Sequence, residues 1–255
     1  MTYIQGFVIA VPTANKQKFI SHANDGDAVF LEHGAIRILE CWQDNVDKGH
    51  TTDFFGAVAC KEDESVVFSW IEWPDKATSD ALHAAMEEIM KSDPRLDPKH
   101  NPMPFDGARM IYGGFEPILD DGAPQPNPYV QGFIVPVPEG NKDDYREAAT
   151  AMWEISRDYG AKRVVEAWQI DVPKGQQTDF YRAVKAEPGE IVVFSFIEWE
   201  SREACDASHE KMMQDQRMKQ FMTENPNAKL PFDGRRMVYG GFRPVTELVR
   251  QNVGA

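Results

Sequence analysis

Apolar residues in the first half of the chain fall into two kinds of stretch. Short stretches rich in β-branched and aromatic residues, such as Tyr3 to Val11, predict strands. A longer stretch after Pro74, with apolar residues three and four positions apart, predicts a helix over Asp75 to Lys91. The predicted elements in chain order are a strand at 3–11, a helix that begins at Thr13 or Asn15 and ends at Gly34, a strand at 35–43, an extra strand at 53–60, a strand at 65–73, the helix at 75–91 and a strand at 109–117.

The second half of the chain repeats the first. Shifted by 126 positions, YIQGFVIAVPTANK (3–16) aligns with YVQGFIVPVPEGNK (129–142), and VVFSWIEW (66–73) aligns with VVFSFIEW (192–199). PFDGARMIYGGF (104–115) aligns with PFDGRRMVYGGF (231–242) at a shift of 127, so one residue is inserted in the second copy before this stretch. A domain is therefore present as a tandem duplication.

The stretch between the copies, PILDDGAPQPNP (117–128), carries prolines that fix φ and lack an amide donor. It predicts a linker. We assign a first domain to residues 1–118, the linker to 119–128 and a second domain to 129–248.

Each copy reads as βαββαβ, with one added strand, which is the α+β pattern of a ferredoxin-like domain. The strand at 65–73 carries large apolar side chains on both faces, as a sheet covered on both sides requires. The helices cover one face, and the second copy is the natural cover for the other. We therefore expect two ferredoxin-like sheets packed face to face.

Three stretches of the first copy, QGFVIAVP, VVFSWIEW and MPFDGARMIYGGFEP, resemble the YbaA-like family of uncharacterised proteins, a domain of unknown function placed among the dimeric α/β barrels. The resemblance covers essentially all of each half. It implies that the two sheets form a barrel, here an intramolecular one made from a single chain. It further implies a monomer that contains a pseudo-dimer, leaves additional homodimerisation open, and brings no catalytic residue with it.

The repeated PFDG stretch has a structural interpretation. Asp106-Gly107 supplies turn chemistry, because an Asp side chain bonds nearby amides and Gly tolerates positive φ. Gly113-Gly114, within a predicted strand, indicates a bulge or a close backbone approach. The same pairs recur in the second copy.

Composition limits the function classes. A hydrophobic fraction of 42% and a charged fraction of 27% are typical of a soluble globular protein, and a net charge of -14 disfavours nucleic acid and anionic lipid as partners. Three cysteines without a CxxC pair predict neither a disulfide framework nor a zinc site and fit the cytoplasm. The first residues lack a signal-peptide pattern, and no apolar run is long enough to span a bilayer, so we expect no membrane association.

Polar residues on the predicted strands are the candidates for chemistry, because burying an unpaired carboxylate or amide is costly. Strand alternation places Glu40 beside Trp42 on one face, and Glu72 beside Phe68 and Trp70. A carboxyl group held against a tryptophan can have its pKa raised and act as an acid or base. The catalytic candidates are Glu40, Glu72 and their counterparts Glu166 and Glu198; the alternative is that these four are structural.

Ligand-binding candidates come from the same strands and from the PFDG turns. They are Gln5, Trp42, Phe68, Trp70, Arg109, Gln131, Trp168 and Arg236. For the two arginines the favoured interpretation is an ion pair with Asp106 and Asp233, and the alternative is an anionic ligand.

No metal or cofactor is expected. His83 and His209 correspond in the two copies, but no HExxH, P-loop, GxGxxG or GxSxG pattern appears. The first helix carries Gly26 and Asp27 where the second copy has Met152 and Trp153, so we expect either a broken helix or a larger cavity beside Gly26.

Three functions remain. The leading hypothesis is binding of a small molecule in a cavity of the fused barrel. The second is a cofactor-independent oxygenase or isomerase acting on an aromatic or polyketide-like substrate, with Glu40 or Glu72 as base; the third is a structural or protein-interaction role. A deep polar-floored cavity would favour the first two, and a filled barrel the third.

Overall fold

A computed structural model describes residues 2–223 and 230–250, without the side chains of 220–223. The eight strands are β1 Tyr3–Pro12, β2 Arg37–Asn45, β3 Glu64–Trp73, β4 Ile111–Gly122, β5 Tyr129–Pro138, β6 Arg163–Asp171, β7 Glu190–Trp199 and β8 Val238–Val249. The helices are α1 Lys16–Glu32, α2 Phe54–Ala57, α3 Lys76–Ser92, α4 Lys142–Asp158, α5 Phe180–Ala183, α6 Arg202–Met212 and α7 Gln216–Thr223. Both copies thus have the predicted ferredoxin-like order.

The eight strands close into one barrel in the order β1-β3-β2-β8-β5-β7-β6-β4, and all neighbouring strands are antiparallel. The copies meet at two seams, where β2 pairs with β8 and β4 pairs with β6. Closure leaves the strands of both sheets paired on each side, which removes the exposed edges an isolated copy would have. The intramolecular α/β barrel is confirmed.

Aromatic rings occupy the axis of the barrel. Phe68 and Phe194, which correspond in the two copies, stack with their centroids 4.6 Å apart and their planes 1° from parallel. Trp70 and Phe196 stack in the next layer at 4.0 Å. Gly6 makes room for this packing, because a Cβ at Gly6 would lie 2.6 Å from a Phe194 ring carbon.

One end of the barrel is closed by a buried ion-pair network, in which the two copies contribute equivalent residues. Arg37 donates to Glu198 at 2.5 Å, and Arg163 donates to Glu72 at 2.8 Å, so each pair joins the two copies. The linker covers the network, since the Gln125 amide donates to Glu198 and the Gln125 carbonyl accepts from Arg37. At the other end, the short helices α2 and α5 insert Phe54 and Phe180 against the axial rings.

Two predicted elements differ from the structure. Residues 53–60 form no strand; Asp53 instead caps α2 by accepting a hydrogen bond from the Gly56 amide at 2.6 Å. The last strand of the first copy does not end at Pro117 but continues to Gly122 as β4, because β4 pairs with β6 of the other copy. A register shift follows Pro117, so the ring lies at a bulge, where a missing amide donor is tolerated.

The repeated PFDG stretch is a structural anchor. Asp106 accepts from the Ala108 amide and pairs with Arg109, whose guanidinium also forms two 2.6 Å hydrogen bonds to Glu64 at the start of β3. Gly114 lies directly under the hydroxyl end of Tyr3, so no side chain fits there. The predicted close approach is therefore present, and a register shift between Gly114 and Phe115 adds the predicted bulge.

Candidate functional site

The layer between α1 and the outer face of the sheet contains two buried carboxyl groups. Glu40 on β2 points out of the barrel with Trp42, as strand alternation predicts, and Asp27 comes from the face of α1 that also carries Phe19 and Ala23. Both carboxyl residues are only 8% exposed. Since the surrounding rings and methyl groups offer little solvation, both groups favour their neutral form.

The Glu40 carboxyl accepts a hydrogen bond from the neighbouring strand. Ser69 Oγ on β3 donates to Glu40 Oε2 at 2.6 Å. Burial raises the pKa of Glu40 to about 7, against the lowering effect of that hydrogen bond. Burial and then the negative charge of Glu40 raise the pKa of Asp27 well above its usual range. Because the charge of each group affects the other, the two carboxyl groups lose their protons in coupled steps.

Two buried oxygen atoms at this site have no hydrogen-bond partner. They are Asp27 Oδ2 and Thr246 Oγ1, and Thr246 lies opposite Glu40 in the pairing of β2 with β8. Buried polar atoms are nearly always paired in folded proteins, so unpaired oxygens on two neighbouring elements mark this layer as a candidate site for a water or a ligand atom. Because β8 belongs to the second copy, both copies contribute to the site.

The corresponding position in the second copy is satisfied internally. Tyr145 donates from its hydroxyl to Glu166 Oε2 at 2.7 Å, and Trp153 replaces Asp27 and donates to Asp121 at 2.6 Å. Burial raises the pKa of Glu166 to about 7, against hydrogen bonds from Tyr145 and Ser195. The two helix–sheet layers thus differ in chemistry: a dicarboxyl site in the first copy and a closed tyrosine–glutamate pair in the second.

The sequence led us to expect either a broken helix or a larger cavity beside Gly26, and the broken helix is wrong. The helix α1 is unbroken across Gly26, and Leu96 lies 3.9 Å from the place that a Gly26 Cβ would take. The side chain nearest to this place thus comes from the loop after α3, at ordinary van der Waals distance, and a larger cavity beside Gly26 stays a prediction. What the substitutions change is the set of polar groups, because Asp27 stands where the second copy has an indole.

The other two catalytic candidates lie inside the barrel and are held by arginines. Glu72 accepts from Arg163 at 2.8 and 3.1 Å and from the Trp70 indole at 3.1 Å. Burial is the largest single influence and would raise the pKa of Glu72, but the charges of Arg163 and Arg37 and the hydrogen bonds from Arg163 and Trp70 together outweigh it, so the pKa is lowered. Glu198 is fully buried and bonded to Arg37. The geometry of both is that of a fixed ion pair; a catalytic role for them stays a prediction.

The candidate glutamines hold tryptophans on the outer face of the sheet. Gln5 accepts from the Trp73 indole at 2.7 Å, and Gln131 accepts from the Trp199 indole at 2.8 Å. His83 lies between Ser79 and Gln5, with one ring nitrogen 2.8 Å from the Ser79 carbonyl and the other 3.2 Å from Gln5 Nε2. These contacts stabilise the helix α3 against the sheet.

The remaining ligand-binding candidates also have protein partners. Arg109 lies 3.0 Å from Asp106, and Arg236 lies 3.2 Å from Asp233, which favours the ion-pair interpretation. Each guanidinium also donates at 2.6 Å to a strand glutamate, Glu64 and Glu190 respectively. The side chains of Phe68 and Trp70 pack along the barrel axis. Trp42 and Trp168 lie on the outer face under α1 and α4, where the ammonium groups of Lys16 and Lys142 are 5.0 and 5.4 Å from their ring centroids. Of the whole set, only Trp42 lies in the same apolar layer as the Asp27–Glu40 site.

Sequence reasoning missed the roles of Asp27 and Thr246. A signal for Asp27 existed, because an acidic residue follows the apolar spacing of α1 onto its buried face. Thr246 gave no such signal, since its place opposite Glu40 depends on the seam between the copies.

Among the described residues, no group of three or more His, Cys, Asp or Glu side chains is arranged to hold a metal ion. No helix in the described part of the chain is long and apolar enough to cross a membrane.

Comparisons with known proteins agree with this fold. Residues 2–107 and 128–234 each match the family described as "Protein of unknown function (DUF1428)". The "Uncharacterized protein YbaA" of Escherichia coli strain K12 is 50% identical over 119 residues, which is 47% of this chain and 97% of that protein. Among solved structures, an "anthrone oxidase-like protein" aligns over 100% of this chain and 95% of its own, with a TM-score of 0.60 and 13% identity. A "putative monooxygenase" from Lactobacillus acidophilus NCFM aligns over 98% and 96%, with a TM-score of 0.56 and 12% identity.

Proposed function

The chain belongs to the DUF1428 family of unknown function, in two tandem copies, and we propose that it binds a small organic molecule at the Asp27–Glu40 site of the first copy. The ligand offers hydrogen-bonding groups to Asp27 and Thr246 and an apolar body to the rings of α1 and β2. With a pKa of about 7, Glu40 is poised to take up or release a proton of that ligand near neutral pH.

The unpaired oxygens of Asp27 and Thr246 carry this proposal. A buried carboxyl pair costs stability unless it is bonded, and the second copy shows that the same fold can satisfy the position with tyrosine and tryptophan. The first copy keeps two carboxyl groups and an open set of acceptors instead. Perturbed carboxyl groups of this kind cluster at functional sites.

Proton transfer at Glu40 suits the second candidate function, a cofactor-independent oxygenase or isomerase. Both reactions begin by removing a proton from an activated carbon or hydroxyl of an aromatic or polyketide-like substrate, and Glu40 is the base. The structural neighbours described as oxidase-like and monooxygenase proteins favour this candidate by analogy of fold. The third candidate, a structural role, is favoured for the interior of the barrel, because stacked aromatic rings fill its axis.

We propose further that the protein acts as a monomer in the cytoplasm. The seams between the copies complete the barrel within one chain, so no second chain is needed to close it. All three cysteines are free, which fits a reducing compartment. A net charge of -14 argues against nucleic acid as a partner.

The test is native mass spectrometry with an absorbance spectrum, first on gently purified protein and then on protein incubated with a panel of aromatic and polyketide-like molecules. The proposal expects a bound mass that is lost in Asp27→Asn and in Glu40→Gln but kept in Glu166→Gln, the matched control in the second copy. Proton transfer would show as turnover of the bound molecule with a pH midpoint near 7 that Glu40→Gln abolishes. Binding that survives in both first-copy variants, or binding by none of the panel, would remove the site from consideration.

A further inference from the structure

An open groove of about 420 Å³ lies on the second copy beside α5, and it shares no residue with the Asp27–Glu40 site. Its lining residues are Lys174, Asp179, Tyr181, Arg182, Lys185 and Ala186. A groove of this volume matches small-ligand sites in size. Three of the six residues are cations, in a protein whose overall charge is strongly negative.

Two of the three cations belong to the second copy alone. At the shift of 126 positions, Arg182 corresponds to Gly56 and Lys185 corresponds to Ala59, while Lys174 keeps a lysine at position 48. Tyr181 likewise corresponds to Phe55. The backbone is the same in both copies, since α2 and α5 have equal lengths and capping aspartates. The first copy therefore shows that this local fold needs neither Arg182 nor Lys185.

Internal contacts leave the cations available. The Asp179 carboxylate, the one acidic group of the lining, accepts from the amides of Gly175 at 3.2 Å and Arg182 at 2.7 Å, so it is committed to the loop and the helix cap. Arg182 uses one guanidinium nitrogen on the Gly175 carbonyl at 2.9 Å and lies 3.5 Å from Asp179. Among the described residues, Arg182 Nε and Nη2 have no hydrogen-bond partner.

The position of Lys185 is fixed by its backbone. Its φ is +48°, in the left-handed region, and Arg236 donates to its carbonyl at 3.0 Å. Left-handed backbone is unfavourable for a lysine, yet Ala59 adopts φ +46° with Arg109 on its carbonyl, so both copies combine this conformation with a hydrogen bond from the anchor arginine. The backbone in this conformation places Lys185 at the groove.

We propose that this groove binds a small aromatic carboxylate. The carboxylate bonds to Arg182 and is attracted by Lys185, because a guanidinium offers paired donors that match the two carboxylate oxygens. The aromatic ring lies against Tyr181, whose ring already attracts the Lys174 ammonium at 5.9 Å, and against Ala186. An extended polyanion is disfavoured by the net charge of -14.

The test uses benzoate as the probe and benzamide as its uncharged analogue, by calorimetry and amide chemical shifts on the full chain at low salt. The proposal expects benzoate to bind with shifts confined to 174–186, and to lose affinity by about tenfold or more in the double variant Arg182→Gly/Lys185→Ala, because charge-assisted hydrogen bonds are lost. That variant installs the residues of the first copy. Lys48→Ala, in the equivalent loop of the first copy, is the matched control and should bind as the wild type does.

Two further readouts need no groove variant. Benzoate affinity should fall as salt is raised, because exposed charges are screened, and it should be unchanged in Glu40→Gln, which separates this groove from the proposed acid–base site. The proposal is overturned if benzamide binds as well as benzoate, if the double variant keeps full affinity, or if the shifts lie outside the groove.

Discussion

Replacing Glu40 with Gln should stabilise the protein at alkaline pH and leave it nearly unchanged at acidic pH. The folded-state pKa of Glu40 is raised from 4.5 to about 7 by burial. Each pKa unit corresponds to about 1.4 kcal/mol, so ionising this buried carboxyl lowers the free energy of unfolding by about 3 kcal/mol. Because the folded pKa is raised, the contribution is complete below pH 4.5 and is lost as the pH rises through 7. A glutamine still accepts the Ser69 hydrogen bond and carries no charge.

The measurement is urea unfolding followed by tryptophan fluorescence at pH 5 and at pH 8.5. The unfolding midpoints of wild type and Glu40→Gln should nearly coincide at pH 5, and the variant should unfold at higher urea at pH 8.5. Loss of the Glu40 charge also lets the pKa of Asp27 fall, which adds to the effect. Glu62→Gln, at an exposed position, is the control and should shift neither midpoint. A difference between wild type and Glu40→Gln that is equal at the two pH values would refute the assignment of a raised pKa.

Three other variants test the barrel, each by its unfolding free energy in urea. Gly6→Ala should cost about 1 to 3 kcal/mol, because the new methyl group overlaps the stacked Phe194 ring, and a neutral result would mean that the ring has room to move. Arg163→Met should cost about 3 to 5 kcal/mol by leaving Glu72 buried without its closest cation, and adding Glu72→Gln should restore much of it; no recovery would contradict the pairing. Asp53→Ala should cost about 1 kcal/mol through the lost cap of α2, and an unchanged midpoint would contradict the capping role.

The arrangement of the barrel could be predicted because the chain contains the same pattern of strands and helices twice. Matching strands fixed the repeat, and the large side chains on both faces of the strand around Phe68 required a cover on each side. The length of β4 could not be predicted, because its last residues are strand only through pairing with β6. Likewise the stretch after Asp53 has the aromatic composition of a strand, yet the aspartate caps a single helical turn.

The candidate site was predicted in part. Alternation along β2 and β3 placed Glu40 on the face of Trp42 and Glu72 on the face of Phe68 and Trp70. The structure shows that the first face lies outside the barrel and the second inside. The different surroundings of the two glutamates depend on residues far away in sequence: Arg163 is 91 positions from Glu72, and Thr246 reaches Glu40 from the other copy. One sequence without its fold does not tell which of two similar carboxyl groups meets a cation and which meets a second acid.

The covalent joining of the two halves also bears on how this barrel can vary. A barrel assembled from two identical chains must carry every substitution twice, once on each side of its axis, so its paired sites stay alike. Here the aspartate at position 27 and the tryptophan at position 153 occupy equivalent places in one molecule, as do the glycine at position 56 and the arginine at position 182. Because the halves are linked in one chain, a substitution in one half does not appear in the other. One half can therefore retain a packed layer while the other takes on new chemistry.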